Sequence, residues 1–377
     1  MNVYYIDPQS YNNLSLYDYS LLKNISPDFQ LTYYYNDMYQ LPELPPALCR
    51  CRFHYGRKKG ILKALSYAGS IWGILRDAWR EKPDVVHVQW IRIWLLDYLF
   101  SWLLQVRGIR VIHTAHNLLP HVRHWGDKWQ YTKYYRLVDA LIVHNEETRQ
   151  EMISTLHIDA GKIHVIRHGM LQNPVPVAEL RIRAAELRRQ LGLSDQTLLF
   201  SSLGVQKPYK GTQEVVEAWM QHPELHDNPN CHLLIAGRNH GLDYSPLASC
   251  SNVTVIDDLL TDLDFEAYLS ITQVVLLPYR SISQSGVVFS AVNRQVPVLV
   301  TSVGGLAEIL QIGRIGWSIG KLSDNRLGTE MVRLATHPDE VRTVAAQTSE
   351  FQKIRDAHNW TQIGRQTSEL YVKIVEK

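Results

Sequence analysis

Two lysines in a loop between a predicted strand and a predicted helix are the first candidates for chemistry. Lys207 and Lys210 lie in the segment LLFSSLGVQKPYKGTQEVVEAWMQ, residues 198–221, where a glycine follows an apolar run. The amides at a helix N-terminus carry partial positive charge, and ammonium groups beside them add point charges. The pattern favours a binding site for a diphosphate, and the alternative is a solvated turn with ordinary surface lysines.

A second segment, residues 273–295, repeats this order of strand, polar turn and helix. It reads QVVLLPYRSISQSGVVFSAVNRQ and contains no carboxylate. We expect the amides of Ser285, Gly286 and Val287 to face an anion at the start of the helix. In the alternative, Ser283 or Ser285 caps the helix and Gly286 packs against a strand. Two such loops in one domain favour a nucleotide diphosphate as the ligand.

The segment VIHTAHNLLPH, residues 111–121, places several histidines at the end of a predicted strand. His113 and His116 lie three residues apart, on opposite faces if the strand continues, and no cysteine or acid completes a metal-ligand set. We therefore predict that no metal binds here. The imidazole of His116 can hydrogen-bond sugar hydroxyls or orient an acceptor, and the alternative is a buried histidine with satisfied hydrogen bonds.

Short β-branched and aromatic runs alternate with longer segments of helical period along the chain. This order is typical of parallel strands joined by crossover helices. With 377 residues the chain is longer than one hydrophobic core usually supports. We therefore predict an α/β protein of two doubly wound parallel-sheet domains, at residues 1–170 and 171–355, and a C-terminal helix at 356–377 that crosses back onto the first domain. Such folds bind ligands in the crevice beyond the carboxyl ends of their strands.

The bulk properties argue against several classes of function. Lys plus Arg number 39 and Asp plus Glu 37, so the net charge gives no reason to expect a nucleic acid partner. The first loop, DPQSYNNLSLYDYS, has no Gly-x-Gly, which argues against an NAD enzyme. Its Asn12 and Asn13 can meet an acceptor molecule or simply form a turn.

The sequence also indicates where the protein resides. No signal peptide is apparent, and the four cysteines fit neither a zinc site nor a disulfide framework, so we expect reduced thiols in the cytoplasm. The most apolar window, residues 91–105, is shorter than a membrane-spanning helix and is predicted to be a buried helix. Basic residues beside tryptophans in residues 50–80 suit an anionic membrane surface, and the alternative is the solvated start of a core-facing helix.

Four motifs resemble the glycosyltransferases of the GT-B fold, in particular the sugar-nucleotide-dependent enzymes of family 4. They are GVQKPYKG, SQSGVVFSAVNRQVPVLVTSVGGLAEI, TAHNLLPH and KIHVIRHG, and the resemblance covers almost the whole chain. It implies a GT-B fold, in which two Rossmann-like domains face a central cleft. The second domain would then bind the nucleotide sugar, and the first would bind the acceptor.

The resemblance also implies roles for single residues of the donor site. Lys210 matches the lysine of the family's Lys-Gly motif, which contacts the donor phosphates, and Lys207 stands where an arginine often occurs. The family's two donor-binding glutamates fall on Ile282 and Ser290, as in a variant with a Gln-Ser-Gly-Val motif. The expected donor-binding residues are Gly204, Gln284, Ser285, Gly286, Val287 and Glu308.

In the first domain, His116 resembles the family histidine that faces the donor sugar, and we count it with Lys207 and Lys210 as catalytic. The expected acceptor-binding residues are Asn12, Asn13, Asn117 and His168. The implied reaction moves a hexose from a nucleotide diphosphate sugar, with UDP-sugar preferred to GDP-sugar, to a glycan or a lipid-linked saccharide. The nucleotide sugar is a co-substrate, so no cofactor is expected.

By resemblance the reaction retains the anomeric configuration and needs no metal, and it serves the synthesis of surface polysaccharide or glycoconjugates. The missing glutamate pair leaves other functions open. One alternative is a catalytically silent, transferase-like binding subunit. Another is a sugar-nucleotide epimerase of the same fold.

Overall fold

The computed structural model describes residues 1–11, 13–39, 48–54, 58, 60–119, 125–171, 175–282 and 285–377, without the side chains of Asn13 and Leu48. The chain forms two compact units. Unit 1 comprises Met1–Gly169 and His358–Lys377, and unit 2 comprises Met170–Ala357.

Unit 1 is built on a parallel sheet of seven strands, counted over the described residues, in the order β3-β2-β1-β4-β5-β6-β7. The order reverses between β1 and β4. Its strands are β1 Asn2–Ile6, β2 Gln30–Asn36, β3 Leu48–Phe53, β4 Val85–Val88, β5 Arg110–Thr114, β6 Ala140–Val143 and β7 Ile163–Val165. Its helices are α1 Asn13–Leu22, α2 Gly60–Glu81, α3 Trp94–Val106, α4 Asp127–Leu137, α5 Glu146–Leu156 and, at the C-terminus, α15 Trp360–Val375.

Unit 2 has six parallel strands among its described residues, in the order β10-β9-β8-β11-β12-β13. They are β8 Leu198–Leu203, β9 Cys231–Ala236, β10 Val253–Ile256, β11 Val274–Leu277, β12 Val298–Val300 and β13 Gly316–Ser318. The helices are α6 Val177–Gln190, α7 Thr212–Gln221, α8 Pro223–His226, α9 Asp262–Ile271, α10 Gly286–Arg294, α11 Gly304–Ile312, α12 Leu327–Thr336, α13 Pro338–Ala345 and α14 Thr348–Ala357. The predicted class, two Rossmann-like parallel-sheet domains, is confirmed.

The central strands are buried on both faces because helices cover both faces of each sheet. Every residue of β6 in unit 1 is buried, and so is every residue of β8 and β9 in unit 2. Each sheet therefore fixes the position of the loops that leave its carboxyl edge, and polar side chains can be held there by a rigid frame.

The C-terminal helix α15 packs on α1 within unit 1. Its Gly364 allows a close approach, because a Cβ atom there would lie 2.1 Å from the carbonyl oxygen of Asn24. Tyr371 is fully buried and its hydroxyl lies 2.7 Å from Nδ1 of His87 on β4. The helix therefore belongs to the core that supports the end of β4.

Strand β3 was not predicted, because its sequence LCRCRF reads as part of a basic segment. Its two arginines are ion-paired with α2. Arg50 contacts Glu81 at 2.9 Å, and Arg52 contacts Asp77 at 2.6 Å. These two charges are neutralised within unit 1, and Arg57 and Lys59 lie outside the described residues. The basic segment therefore offers a membrane surface fewer cations than its composition indicates.

Helix α3 departs from the prediction of a buried helix. It buries Asp97, Phe100 and Leu104, but the opposite side is exposed. The first loop also differs from expectation, since α1 begins there at Asn13. Among the described residues, no helix combines the length and the apolar character that crossing a bilayer requires.

Candidate functional site

The loop after β8 in unit 2 turns sharply at two glycines. Gly204 and Gly211 have φ angles of +81° and +71°. Residues with a Cβ atom rarely adopt such angles, whereas glycine does so readily. Between them, Pro208–Lys210 form one short turn of 3₁₀ helix that leads into α7. The loop therefore stays close to the carboxyl edge of the sheet, and Lys210 lies near the end of β8.

Lys210 is the most unusual side chain of this loop. It is only 9% exposed, and no described residue accepts a hydrogen bond from its ammonium group. Burial, with a smaller contribution from the charge of Lys207, lowers the pKa of Lys210 to about 8. The ammonium group lies 5.8 Å from the centre of the Tyr279 ring, a contact that only partly offsets the cost of burying a cation. Such a side chain is a candidate for binding an anion.

Lys207 lies differently, on the exposed side of the same loop. It precedes Pro208 in an extended conformation, and its carbonyl accepts a hydrogen bond from the amide of Lys210. Its charge therefore acts through solvent, where screening is strong. The two predicted lysines thus lie in one loop, but their environments differ.

The N-terminus of α10 is the second predicted anion-binding element. The helix begins at Gly286, and the side chain of Ser285, at the cap position, makes no capping hydrogen bond. The Ser285 hydroxyl instead points to the Tyr279 hydroxyl, at 3.4 Å. The first amides of α10 are thus left without a capping side chain, which is the arrangement that binds anions.

One close approach within the first loop and two between the loops bring their residues together. A Cβ atom built on Gly204 would lie 3.5 Å from Nζ of Lys210 and 3.8 Å from a methyl group of Val287. The amide of Arg280 donates a hydrogen bond of 2.7 Å to the carbonyl of Tyr209. The predicted residues Gly204, Lys210 and Val287 therefore meet at one point, at the carboxyl edge of the sheet.

The remaining predicted donor residues are Glu308 and Gln284. Glu308 is half-buried in the second turn of α11, which begins at Gly304 after β12. Gln284 and Ser283 lie outside the described residues. The two positions where the family has glutamates, Ile282 and Ser290, are half-buried.

Gln206 was not singled out from the sequence, yet it organises the loop after β8. Its fully buried amide nitrogen donates to the carbonyl oxygens of Ser202 and Gly204, at 3.1 and 2.8 Å. Its amide oxygen accepts a hydrogen bond from the hydroxyl of Thr212 at 2.7 Å. A glutamine in a polar loop carries no sequence signal for such a role, because only the fold shows that its side chain is enclosed.

Unit 1 has a cavity of about 220 Å³ at the carboxyl ends of β4 and β5. Its lining includes Gln9, Gln89, Trp90, Arg92, His116 and Asn117. The indole N–H of Trp90 is buried and has no hydrogen-bond partner among the described residues. Gln9 follows β1, so the cavity borders the point between β1 and β4 where the strand order reverses. Parallel sheets bind ligands at such points.

His116 lies in this cavity wall, with both ring nitrogens near internal partners. Nε2 is 2.9 Å from the side-chain oxygen of Gln89, and Nδ1 is 3.2 Å from Nε2 of His144. Its ring stacks on Trp90 at 4.5 Å between centroids. Burial, followed by the neighbouring histidines, lowers its pKa well below the usual value, so the ring is neutral.

Of the other predicted acceptor residues, His168 and Asn117 are described with their side chains. His168 is half-buried and contacts His144 and Tyr17 with its ring, and burial lowers its pKa to about 3. Asn117 lines the cavity. Asn12 lies outside the described residues, and only the backbone of Asn13 is described.

Two carboxyl groups near the cavity were missed by sequence reasoning. Asp7 follows β1 directly and is buried against Asp18 of α1. Burial raises the pKa of Asp7 to about 6 and that of Asp18 well above its usual value. Neighbouring buried carboxyls resist ionising together, because each negative charge disfavours the other. In the sequence, the one feature that could have pointed to Asp7 is its position directly after the predicted strand VYYI.

Metal binding has no visible basis in the part of the chain that the structure describes. There, no three histidine, cysteine or acidic side chains are grouped so that they could hold a metal ion. His113, one of the sequence candidates, instead directs Nδ1 to the carbonyl of Val88 at 2.9 Å.

Comparison with known protein families gives this geometry a context. The model described as Glycosyltransferase Family 4 matches residues 40–170. The model described as Glycosyl transferases group 1 matches residues 195–337, which include both loops around Lys210. The chain belongs to the family 4, group 1 glycosyltransferases.

Curated relatives of this glycosyltransferase are distant. A D-inositol 3-phosphate glycosyltransferase of Mycolicibacterium gilvum is 24% identical over 65% of the chain, and the match spans 57% of that relative's length. A protein of the same name from Corynebacterium glutamicum is 24% identical over 79% of the chain and 75% of its own length.

Solved structures share the fold of this glycosyltransferase over almost its full length. Sucrose-phosphate synthase from Thermosynechococcus elongatus has a TM-score of 0.71 at 16% identity, covering 99% of both chains. HepE from Anabaena, in complex with UDP, has a TM-score of 0.70 at 11% identity, covering 99% of this chain and 100% of HepE. At these identities the likeness establishes the GT-B fold alone.

Gly211 offers a test of how tightly the loop of this glycosyltransferase is held. A Cβ atom there would lie 1.9 Å from the carbonyl oxygen of Pro278, at a φ of +71°. We expect Gly211→Ala to lower the free energy of unfolding by about 2–4 kcal/mol, measured by urea denaturation. Gly192→Ala is the matched control, with a φ of +64° and no atom within 4 Å of the new carbon. Equal losses in the two variants would contradict the close contact.

Proposed function

We propose that this protein transfers a hexose from a nucleotide diphosphate sugar to a saccharide acceptor. The observation that carries the proposal is the buried side chain of Lys210 at the carboxyl edge of the unit 2 sheet, whose ammonium group makes no hydrogen bond to a described residue. The uncapped N-terminus of α10 meets the same point through Val287. A diphosphate supplies the negative charge that both elements lack.

The same two elements give the proposal its chemistry. When the bond between the sugar and the diphosphate breaks, negative charge accumulates on the leaving phosphate oxygens. Lys210 and the first amides of α10 stabilise that charge without rearranging, because the fold already holds them in place. The proposed reaction therefore does not depend on a divalent metal, and it needs no cofactor beyond the nucleotide sugar.

The donor is proposed to be a UDP-sugar in preference to a GDP-sugar. Support comes from HepE, whose structures are described in complex with UDP and with UDP-glucose. Retention of the anomeric configuration is proposed from the family resemblance. Since Ile282 and Ser290 occupy the positions of the family's glutamates, Gln284 and Glu308 are proposed to hold the ribose and the sugar instead.

The acceptor is proposed to be a glycan or a lipid-linked saccharide, bound in the cavity of unit 1. Such a ligand has hydroxyl groups that can accept a hydrogen bond from the buried indole N–H of Trp90. The neutral imidazole of His116 and the amide of Asn117 add polar contacts. We propose a role in surface polysaccharide or glycoconjugate synthesis at the inner face of the membrane.

The proposal is tested with a panel of UDP-, GDP- and dTDP-sugars. A ligand at 100 times its dissociation constant adds about 2.7 kcal/mol to stability, which a thermal-shift assay detects. We expect one class of nucleotide sugar to raise the melting temperature and to be hydrolysed slowly when no acceptor is present. If no nucleotide sugar shifts the melting temperature, the proposed donor site is wrong.

The same panel separates the two alternatives. A silent binding subunit would be stabilised by a nucleotide sugar without hydrolysing or transferring it. An epimerase would convert the sugar into its epimer in the absence of any acceptor. Each outcome has its own product pattern, so one set of reactions distinguishes the three functions.

A further inference from the structure

A row of hydrogen-bonded groups runs along the carboxyl edge of the unit 1 sheet, beside the cavity. We call it the histidine row, and its members in order are Tyr371, His87, Gln89, His116, His144 and Ile166. His87 lies in β4, His116 follows β5, and His144 follows β6. The proposed acceptor site uses His116, but it gives no reason for the buried His144 beside it.

The histidine row has a direction, because its last member can only accept a hydrogen bond. Nδ1 of His144 lies 3.0 Å from the carbonyl oxygen of Ile166, so this nitrogen carries a proton and donates it. If the His144 ring is neutral, its Nε2 is an acceptor. That atom lies 3.2 Å from Nδ1 of His116, which must then hold the proton between the two rings. A neutral His116 is left with an unprotonated Nε2.

Both histidines have surroundings that keep them neutral. Burial lowers the pKa of His144 to about 4, and it lowers the pKa of His116 well below its usual value. The ionisable groups that add to this effect are other histidines, which disfavour a cation. Each ring therefore holds one proton near neutral pH, and the direction of the row follows from the Ile166 carbonyl.

The side-chain amide of Gln89 must match this direction. Its oxygen lies 2.9 Å from Nε2 of His116, where both atoms would be acceptors. A half-turn of the amide exchanges its oxygen and nitrogen at nearly unchanged shape, and the hydrogen-bond partners decide between the two orientations. The nitrogen then donates to His116, and the oxygen takes the position 2.9 Å from Nε2 of His87.

The beginning of the row accepts the same direction. Nε2 of His87 donates to the amide oxygen of Gln89, and Nδ1 of His87 lies 2.7 Å from the hydroxyl of Tyr371 on α15. Burial raises the pKa of Tyr371 well above its usual value, so the hydroxyl keeps its proton and can donate it. The hydroxyl of Thr114, 2.7 Å from Nε2 of His87, can serve as a second acceptor. Each proton of the row thus has an acceptor.

We propose that His144 is a positioning residue that holds the proton of His116 on Nδ1, so that Nε2 of His116 is a hydrogen-bond acceptor at the unit 1 cavity. His116 and Gln89 both line this cavity, and the His116 ring is stacked on Trp90. A ligand group that meets Nε2 must then donate a hydrogen bond, as a sugar hydroxyl does and an ether or carboxylate oxygen does not. The inference rests on the proposed function in one respect, that a sugar reaches His116.

Nitrogen NMR of histidine-labelled protein tests the proton assignment without any substrate. Protonated and unprotonated ring nitrogens have well-separated shifts, and the signals of His116 are those that disappear in His116→Gln. We expect the proton of His116 on Nδ1 in the unchanged protein. A proton on Nε2 alone, or on both nitrogens at neutral pH, would overturn the inference.

Two variants of His144 separate its role as an acceptor from the space that it fills. His144→Phe keeps a ring but removes the acceptor, so the proton of His116 should move to Nε2. His144→Gln keeps an oxygen that can accept and an N–H that can donate to Ile166, so the proton should stay on Nδ1. Gln89→Leu removes the other partner of His116 and should also leave it there. A proton that moves in Gln89→Leu and not in His144→Phe would assign the role to Gln89 instead.

The rate of sugar transfer gives a second readout. We expect His144→Phe to lower kcat about 10- to 100-fold, the range found when partners of metal-bound histidines are removed. The KM for the nucleotide sugar should not change, and His144→Gln should restore most of the rate. His232→Phe is the matched control: it removes a buried histidine of β9 that lies 2.9 Å from the hydroxyl of Thr254, and it should leave kcat unchanged. Equal losses in His144→Phe and His144→Gln would mean that His144 only supports the fold.

UDP binding keeps this inference separate from the proposed function. The proposed site for UDP lies in unit 2, so each folded variant should bind UDP as the unchanged protein does. If His144→Phe does not fold, the position of the His116 proton in the unchanged protein and in His144→Gln still decides. If no nucleotide sugar is bound or turned over, the proposed function fails while the NMR result stands.

Discussion

Lys210→Met is expected to lower kcat/KM for sugar transfer by about 100- to 1,000-fold, or about 2.7–4 kcal/mol of transition-state stabilisation. The reason is that Lys210 is the buried cation where the two loops of unit 2 meet. Stability should change in the opposite direction. Methionine fills a similar volume without an unpaired charge, so the free energy of unfolding should rise by about 1–3 kcal/mol.

Two further variants make this prediction specific. Lys207→Met removes a solvent-exposed charge of the same loop and should reduce kcat/KM by only about 10-fold or less. Lys353→Met removes an exposed lysine of α14 that is paired with Glu350, and should leave the rate unchanged. If Lys210→Met and Lys353→Met have equal values of kcat/KM for sugar transfer, Lys210 does not contact the reacting groups.

Val287→Glu is expected to weaken UDP binding by about 100-fold, or about 2.7 kcal/mol, measured by calorimetry. Val287 is the second residue of α10, and its side chain lies beside Gly204 and Lys210. A glutamate there places a negative charge next to the diphosphate. For the helix itself the change is favourable by about 0.3–1 kcal/mol, because acids in the first turn complement the helix dipole.

Val287→Gln is the matched control for this change. It has the same shape as the glutamate and loses the same contact with the core of unit 2, but carries no charge. UDP binding to Val287→Gln should remain within about 5-fold of the unchanged protein, or about 1 kcal/mol. A glutamine variant that binds UDP as weakly as the glutamate variant would mean that packing, and not charge, explains the loss.

Much of the fold could be predicted from the sequence. The alternation of apolar runs with helical segments indicates two parallel sheets, since buried parallel strands and amphipathic crossover helices have different periods. Two lysines and an acid-free segment after strands predicted an anion site, which stays a prediction. Gly204, Lys210 and Val287 meet as expected, because the carboxyl ends of parallel strands share one edge.

Other features depend on side-chain placement that no local pattern specifies. Lys207 and Lys210 look alike in sequence, yet Lys207 is exposed and Lys210 is buried, with 9% of its surface exposed. Strand β3 was missed because its arginines, which pair with α2, resemble a solvated basic segment. Helix α3 reads as buried because most of its residues are apolar, and only the fold shows that Leu95, Leu99 and Trp102 are exposed in the part of the chain that the structure describes.

The pH dependence of UDP binding tests the central claim most directly, because Lys210 has a pKa of about 8 in the unliganded protein. A bound diphosphate keeps the ammonium protonated, so binding above pH 8 must take up a proton. Calorimetry should then show an affinity that falls about tenfold between pH 7 and 9, with uptake of about one proton per UDP at the higher pH. Affinity that is constant over this range, with no proton uptake, would contradict a donor site centred on Lys210.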